Sequence, residues 1–461
     1  MSAPSTTQIP GFRGEMITAD NEGYDDARAV WNGTVNRRPR LIARCSGTAD
    51  VVAAVRFARD HDLEIAVRGG GHNVAGTAVC DDGIVIDLSA MRAVSVDSAG
   101  RTAQVRSGAL WGDVDHETQA HGLATTGGIV SHTGVAGVTL GGGIGFLMRK
   151  YGLAVDNVWA AEVVTADSAV VQASADEHPD LFWALRGGGG NFGIVTSFQF
   201  ALHPVGPTVL AGPIFWAADD TVELLRFYRD FAAEAPDDLG TIVRLGTVPP
   251  LAAIPEELHW RPAIAVVCCY AGAIDAGESG LRALREFGTP LVDLLAPTLY
   301  VEHQCAIDET VQHGWHYYWK STNLAGLSDD TIGIIADHAY TAGSPRSYAA
   351  MFHLGGAVGR VPHDATAYSA RDVPHNIVVE GVWLPDESDE HAAAETAWAR
   401  RFLDALQPHG AGSVYVNFLD SDDSSRVREA YDDQIYRRLA EVKAKYDPDN
   451  TFHHNRNIQP S

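Results

Sequence analysis

The chain is poor in cysteine, with five in 461 residues, and no C-x-x-C occurs among them. A zinc ribbon and a dithiol redox motif are thereby excluded, and Cys45, Cys80, Cys268, Cys269 and Cys305 read as free thiols. No H-E-x-x-H or Cys/His ligand spacing is present either, so no metal site is expected. Long apolar runs are missing: the longest, residues 263–273 (AIAVVCCYAGA), falls far short of the ~20 residues of a membrane span and reads as a buried strand. Residues 1–12 (MSAPSTTQIPGF) carry neither a cationic start nor an apolar stretch, so no secretory leader is expected and the cytosol is the expected compartment. Positive charge is scarce as well. Lys and Arg number 34 against 59 Asp and Glu, a net charge of −25 with no basic block; nucleic acid and anionic membrane surfaces are therefore not expected partners.

What is present is an ordinary folded composition, 46% hydrophobic and 20% charged, long enough for two or three domains of about 150 residues. The N-terminal part alternates helix and strand signals. Thr48 is a plausible N-cap for a helix that turns Val51, Ala54, Val55 and Ala58 inward. Strands are expected at residues 63–68 and 84–88, a hairpin at 94–96 and 103–105, and a helix at 110–121 closed by Gly122. Further strands follow near 162–165 and 194–201. Beyond His203-Pro204 the pattern becomes helices, such as 221–234, mixed with apolar strands around 263–269, 349–354 and 377–383. That is the signature of an α+β layer, a sheet covered by helices. Near the end, Ser424 is the expected N-cap of a helix carrying Val427, Tyr431, Ile435, Leu439, Val442 and Tyr446 on one face, stopped by Asp447-Pro448.

Glycine stands out, at 46 residues, about a tenth of the chain against a usual ~7%. Many lie in three clusters: Arg68-Gly69-Gly70-Gly71-His72-Asn73, Gly141-Gly142-Gly143-Ile144-Gly145, and residues 186–193 (RGGGGNFG). Consecutive glycines allow successive N–H groups to converge on an anion such as a pyrophosphate. Turns alone seldom need three or four in a row. Gly188-x-Gly190-x-x-Gly193 has dinucleotide-fingerprint spacing, but a strand pattern follows it where a Rossmann site needs a helix, and no P-loop motif exists. A phosphate-rich cofactor held by several loops remains, with His72 placed to approach it.

The string Val67-Arg68-Gly69-Gly70-Gly71-His72-Asn73 resembles the signature of the berberine-bridge-enzyme-like FAD-linked oxidases of the vanillyl-alcohol oxidase superfamily. A second matching block runs from Ser131-His132-Thr133-Gly134 through Gly137 and Gly141–Gly145 to Arg149-Lys150-Tyr151-Gly152-Leu153 and Asp156-Asn157. Residues 186–195 form a third, and Tyr415-Val416-Asn417-Phe418 with Tyr446-Asp447-Pro448 and Asn455-Arg456-Asn457-Ile458 a fourth. The resemblance implies an α+β fold: a PCMH-type FAD-binding domain of two α/β subdomains (1–205), a substrate domain with an antiparallel sheet covered by helices (206–410), and a C-terminal segment returning to the FAD domain (411–461).

It also implies the FAD contacts. They are Arg68, Gly69, Gly70, Gly71, His72 and Asn73 in the first block, and Ser131, His132, Gly134, Gly137, Gly141, Gly142, Gly143 and Gly145 in the second. Gly193 and Val195 follow in the third, and Tyr415, Asn417 and Asn455 in the fourth. His72 would carry a covalent bond to the flavin 8α-methyl group. Members with an additional cysteinyl link have Cys where this chain has Val130, so attachment through His72 alone is expected.

The expected activity is hydride abstraction from an alcohol- or amine-type C–H bond of a small-molecule substrate, with dioxygen as acceptor. Thr133 aligns with a position where small β-branched residues admit dioxygen to the flavin. The tyrosine that serves many relatives as base is Phe418 here, and phenylalanine cannot take a proton. Tyr415 and His353 are the expected catalytic candidates, with His316, Tyr317 and Tyr318 as alternatives. Oxidative tailoring of an aromatic or polyketide-like metabolite, and a flavin-binding protein without turnover, stay open as rival readings.

Overall fold

The computed structural model describes residues 8–461; most of the stretch read for a leader lies outside them. Among the described residues no helix is long and apolar enough to cross a membrane. Strands sort into three main sheets. The first orders Glu15–Ile17, Leu41–Arg44, Ile84–Asp87 and Ile65–Arg68, the last three parallel to one another. Helix Thr48–Asp60 covers it, burying Val51, Ala54, Val55 and Ala58 at the expected spacing. Its N-cap is Gly47 rather than Thr48, whose hydroxyl instead donates to Glu162 at 2.7 Å on the neighbouring sheet.

The second sheet orders Val94–Asp97, Thr102–Arg106, Ile194–Ala201, Val158–Val164 and Val170–Ser174, antiparallel throughout and with the expected hairpin at its edge. The strand Ile194–Ala201 directly follows Gly193, which disposes of the dinucleotide fingerprint. Helices Pro179–Leu185 and Asp433–Tyr446 share a core with this sheet, through Phe182, Phe198, Ile435, Leu439 and Val442.

The helix expected from Ser424 begins later, capped by Asp432, whose carboxylate accepts from Gln434 N and Ile435 N at 2.8 Å each. Residues Ser421–Ala430 form 3-10 turns instead. The cause is the acidic run at their start, Asp420, Asp422 and Asp423. Asp420 accepts from Trp319 N at 2.8 Å, and Lys320 Nζ reaches Asp422 and Asp423 at 2.5 and 2.8 Å, which pins the chain across a strand of the third sheet.

That third sheet has eight strands, all antiparallel. In order they are Val292–Asp293, Thr208–Ala217, Pro262–Tyr270, Leu239–Thr247, Tyr348–His353, His375–Trp383 and His316–Leu324, with Ala296–Leu299 also pairing Thr208–Ala217. Alternation splits its side chains. Met351, Ile377 and Val379 pack under helices Thr221–Ala233, Asp329–Ala339 and Asp389–Leu406, whereas Phe352, Val378 and Val382 face the other way, toward Phe146 and Leu147.

One buried ion pair ties the chain end down. Lys443 Nζ donates to Asp447 at 2.6 Å, to Asn191 O at 2.8 Å and to Phe452 O at 2.9 Å, and both charged side chains are fully buried. Lys443→Met would leave Asp447 with only the Thr451 and Phe452 N–H groups. The expected cost is about 3–5 kcal/mol, because an unpaired charge stays buried. A lower urea midpoint at unchanged slope would report it, and a loss below about 1 kcal/mol would mean that the pair anchors nothing.

Candidate active site

A deep cavity lies where the loops of the first two sheets meet the face of the third opposite helices Thr221–Ala233, Asp329–Ala339 and Asp389–Leu406. Two glycine loops form one wall by touching backbone to backbone. A Cβ on Gly70 would stand 2.5 Å from Gly134 Cα and N, so no larger residue is possible at that crossing. Gly137 and Gly190 meet nothing within 4 Å at the Cβ position, which leaves the trough open along its length. Gly69, Gly71, Asn73, Gly193 and Val195 line the same trough, and Tyr415, Asn417 and Asn455 close it from the C-terminal segment.

His72 sits on this wall, half-buried, with its Nε2 turned away from solvent. Its Nε2 has no hydrogen-bond partner. Burial holds its pKa well below the usual value, and the rings of His132 and His313, at 5.0 and 6.2 Å, push the same way. The imidazole is therefore neutral, with a lone pair available. Trp31 stacks on it at 4.2 Å.

At the other end the third sheet contributes a row of three side chains. Trp319 and Tyr348 are the direct cross-strand partners of Glu380, one on each side, so all three point to the cavity face. Tyr348 Oη donates to Glu380 Oε2 at 2.7 Å. Burial pushes the Glu380 carboxyl up to about 7, against the Tyr348 hydrogen bond and the Arg244 charge. Trp319 Nε1 is buried without a partner. Around this row stand Ile307, Val311, Phe352 and Phe418, so the carboxyl and phenol are a polar spot in an apolar chamber.

Several expected site residues lie elsewhere. Arg68 points behind its loop, its guanidinium spent on the Ala27 and Arg28 carbonyls. Ser131 is clamped by Asp308, which accepts from its N at 3.0 Å and its Oγ at 2.5 Å, and His132 flanks His72 without lining the cavity. Gly141, Gly142, Gly143 and Gly145 support the wall from behind, where Cβ atoms would strike Asn417, Tyr368, Ala154 and Gly127.

His353 is corrected as a catalytic candidate. It is next to Phe352, so alternation turns it to the helix-covered face, where Nε2 pairs with Arg149 Nη1 at 3.0 Å and burial lowers its pKa steeply. Tyr415 does line the cavity, but its oxygen accepts from Gly143 N at 2.9 Å and Asn417 Nδ2 at 2.8 Å. Burial raises its pKa over the opposition of those bonds, which makes it a wall residue and a poor base. Of the alternatives, Tyr318 donates to Asp422 on the far face and Tyr317 donates to Gln312 O.

Trp31, Trp319, Tyr348 and Glu380 had no place in the sequence reading. Glu380 did leave one signal, a lone acid within the apolar strand Ile377-Val378-Val379-Glu380-Gly381-Val382.

The donor set fits FAD. A long glycine-walled trough suits a pyrophosphate and ribityl chain, the buried Asn455 Oδ1 lacks a donor, and a neutral imidazole with an unpartnered Nε2 lines it. Comparison with known proteins agrees. Residues 39–174 match the FAD binding domain family and residues 414–459 the berberine and berberine-like family. The chain is 33% identical to (R)-6-hydroxynicotine oxidase of Paenarthrobacter nicotinovorans, over 100% of this chain and 99% of that one. The crystal structure of 6-hydroxy-D-nicotine oxidase from Arthrobacter nicotinovorans superposes with a TM-score of 0.86 at 32% identity, covering 98% of each chain. Glucooligosaccharide oxidase from Acremonium strictum, with its 6-S-cysteinyl, 8α-N1-histidyl FAD, shares the fold at a TM-score of 0.86, 24% identity and 97% coverage of each chain.

Proposed function

The chain belongs to the berberine-bridge-enzyme-like FAD-linked oxidases, and on that premise we propose that it holds FAD covalently through His72 alone and oxidises a C–H bond next to nitrogen or oxygen in a compact aromatic or apolar amine or alcohol. When bound, the flavin accepts the hydride and passes the electrons to dioxygen, giving hydrogen peroxide. The protein supplies the rest. Gly69–Gly71 and Gly137 offer N–H groups and open space to the phosphates, Asn455 and Asn417 flank the chain, and Val130 provides no thiolate for a second link. Thr133 lines the cavity, which supports access for dioxygen there.

Glu380 carries the reading. A carboxylate aimed into an apolar chamber can take the proton from a substrate ammonium or hydroxyl, while Tyr348 holds it in place. Its pKa near 7 suits that task. Amines are favoured over sugars. A sugar ring needs a partner for each hydroxyl, whereas Ile307, Val311, Phe352 and Phe418 offer none; similarity to an oxidase of 6-hydroxynicotine agrees. The same chamber admits flat phenolic metabolites, which keeps oxidative tailoring in the test.

Anaerobic mixing with cyclic amines, benzylic alcohols, phenols and gluco-oligosaccharides tests this directly. Amines are expected to bleach the yellow absorbance, and admitted air to restore it with equimolar peroxide. Bleaching by oligosaccharides alone would overturn the assignment.

A further inference from the structure

Trp31 belongs to none of the motifs that carry the family resemblance, yet it is fully buried and sits at the junction of the His72 loop and the third sheet. Its indole is the middle of a three-ring stack. Tyr317 lies against one side at 3.7 Å and 19°, and His72 against the other at 4.2 Å and 16°. Every polar atom of Trp31 is engaged at the same junction. Its N–H donates to Gly71 O at 3.0 Å, its carbonyl accepts from Gly314 N at 2.9 Å, and its indole N–H donates to Val311 O at 2.9 Å. The adjacent Asn32 repeats the bridge: Nδ2 donates to Val74 O at 2.7 Å and Tyr317 O at 3.0 Å, and Oδ1 accepts from Tyr317 N at 3.1 Å. By contrast, no hydrogen bond holds His72 Nε2.

We propose that Trp31, backed by Tyr317, is the positioning residue for flavin attachment: its ring face sets the plane of the His72 imidazole and so aims the ring lone pair at the 8α carbon. This rests on the reading that His72 is the attachment point. A lone pair lies in the ring plane, so fixing that plane decides whether the nitrogen meets the carbon, and a histidine side chain otherwise turns about two torsions. Stacking of this kind constrains tilt where no hydrogen bond does.

The step balances as follows. A His72 nitrogen bonds to the 8α carbon, one C–H bond of that methyl group and the imidazole N–H bond break, and both hydrogens end on the flavin. The flavin is thereby reduced by two electrons, and dioxygen then takes those two electrons and two protons as hydrogen peroxide. The neutral state of His72 keeps the attacking lone pair free.

The test measures the covalent fraction, as flavin fluorescence remaining with the polypeptide after acid denaturation, once each protein has stood in air with excess FAD. Trp31→Phe keeps a ring face and is expected to hold the wild-type fraction. Trp31→Leu keeps apolar volume without the face and is expected to lose at least fivefold, while still retaining FAD non-covalently through gel filtration. Full attachment in Trp31→Leu, or equal loss in the Phe and Leu variants, would overturn the proposal. Should Trp31→Leu not fold, Tyr317→Leu leaves every Trp31 hydrogen bond to Gly71, Gly314 and Val311 intact and removes the backing ring, with Tyr317→Phe as the control for the lost hydroxyl bond to Gln312 O. A lowered covalent fraction there supports the proposal and an unchanged one overturns it. Wild-type protein that releases all its flavin in acid would instead defeat the His72 reading.

Discussion

Glu380→Gln is expected to lower kcat/KM by about 10²–10⁴-fold, the usual worth of a positioned general base, while leaving FAD content and fold unchanged. Glutamine keeps the shape and can still accept from Tyr348, but it takes no proton. The fall should appear in kcat, because what is lost is proton transfer and not the fit of the substrate. The pH profile gives the sharper readout. Burial raises the carboxyl to about 7, so Glu380 is protonated and idle below that value and active above it; wild-type kcat/KM should climb through an acid limb near pH 7. Glu380→Gln should abolish that limb. Tyr348→Phe removes a hydrogen bond that favours the charged carboxylate, so its limb should move to higher pH. A Glu380→Gln enzyme with the wild-type profile and more than a tenth of the activity would exclude Glu380 as the base.

His72→Ala is expected to abolish the covalent bond outright. Acid-precipitated wild type should carry all the flavin fluorescence, and the variant none, with FAD recovered in the supernatant. The variant should still emerge yellow from a column, because the glycine trough and Asn455 remain. Residual covalent flavin would point to another nucleophile, and the four buried cysteines are poor candidates, since none of them lines the cavity. Loss of all FAD binding would mean that the link is the main anchor and the trough secondary.

Both experiments address residues of very different visibility in the sequence. The His72 loop was legible because its glycines answer a backbone demand: Gly70 and Gly134 cross so closely that no Cβ fits, and such crossings leave runs of one residue type. Hydrophobic periodicity likewise gave the cores, at the helical period in helix Thr48–Asp60 and at the strand period in the hairpin Val94–Asp97 with Thr102–Arg106. The row on the third sheet was not legible, for a reason equally physical. Trp319, Tyr348 and Glu380 come from three strands and become neighbours only through register. An alternating strand announces that it has two faces without saying which one overlooks a cavity. His353 shows the cost: one residue from Phe352, it falls on the wrong side of the sheet. The late start of the helix Asp433–Tyr446 has the same origin, since Asp420, Asp422 and Asp423 answer to Trp319 and Lys320, residues remote in sequence.

The order in which the cavity wall is made follows from the chain itself. Gly69 to Asn73 form one side, while Phe452, His454, Asn455 and Arg456 form part of the other, and Lys443 holds that last stretch against Asn191. A ribosome delivers the first of these long before the last. The trough therefore stays open until the segment from Phe452 onward has been made and has docked. Cofactor capture is in this sense a late event of biogenesis, and a chain cut just before Phe452 keeps the glycine wall of the trough but lacks Phe452, His454, Asn455 and Arg456 to close it.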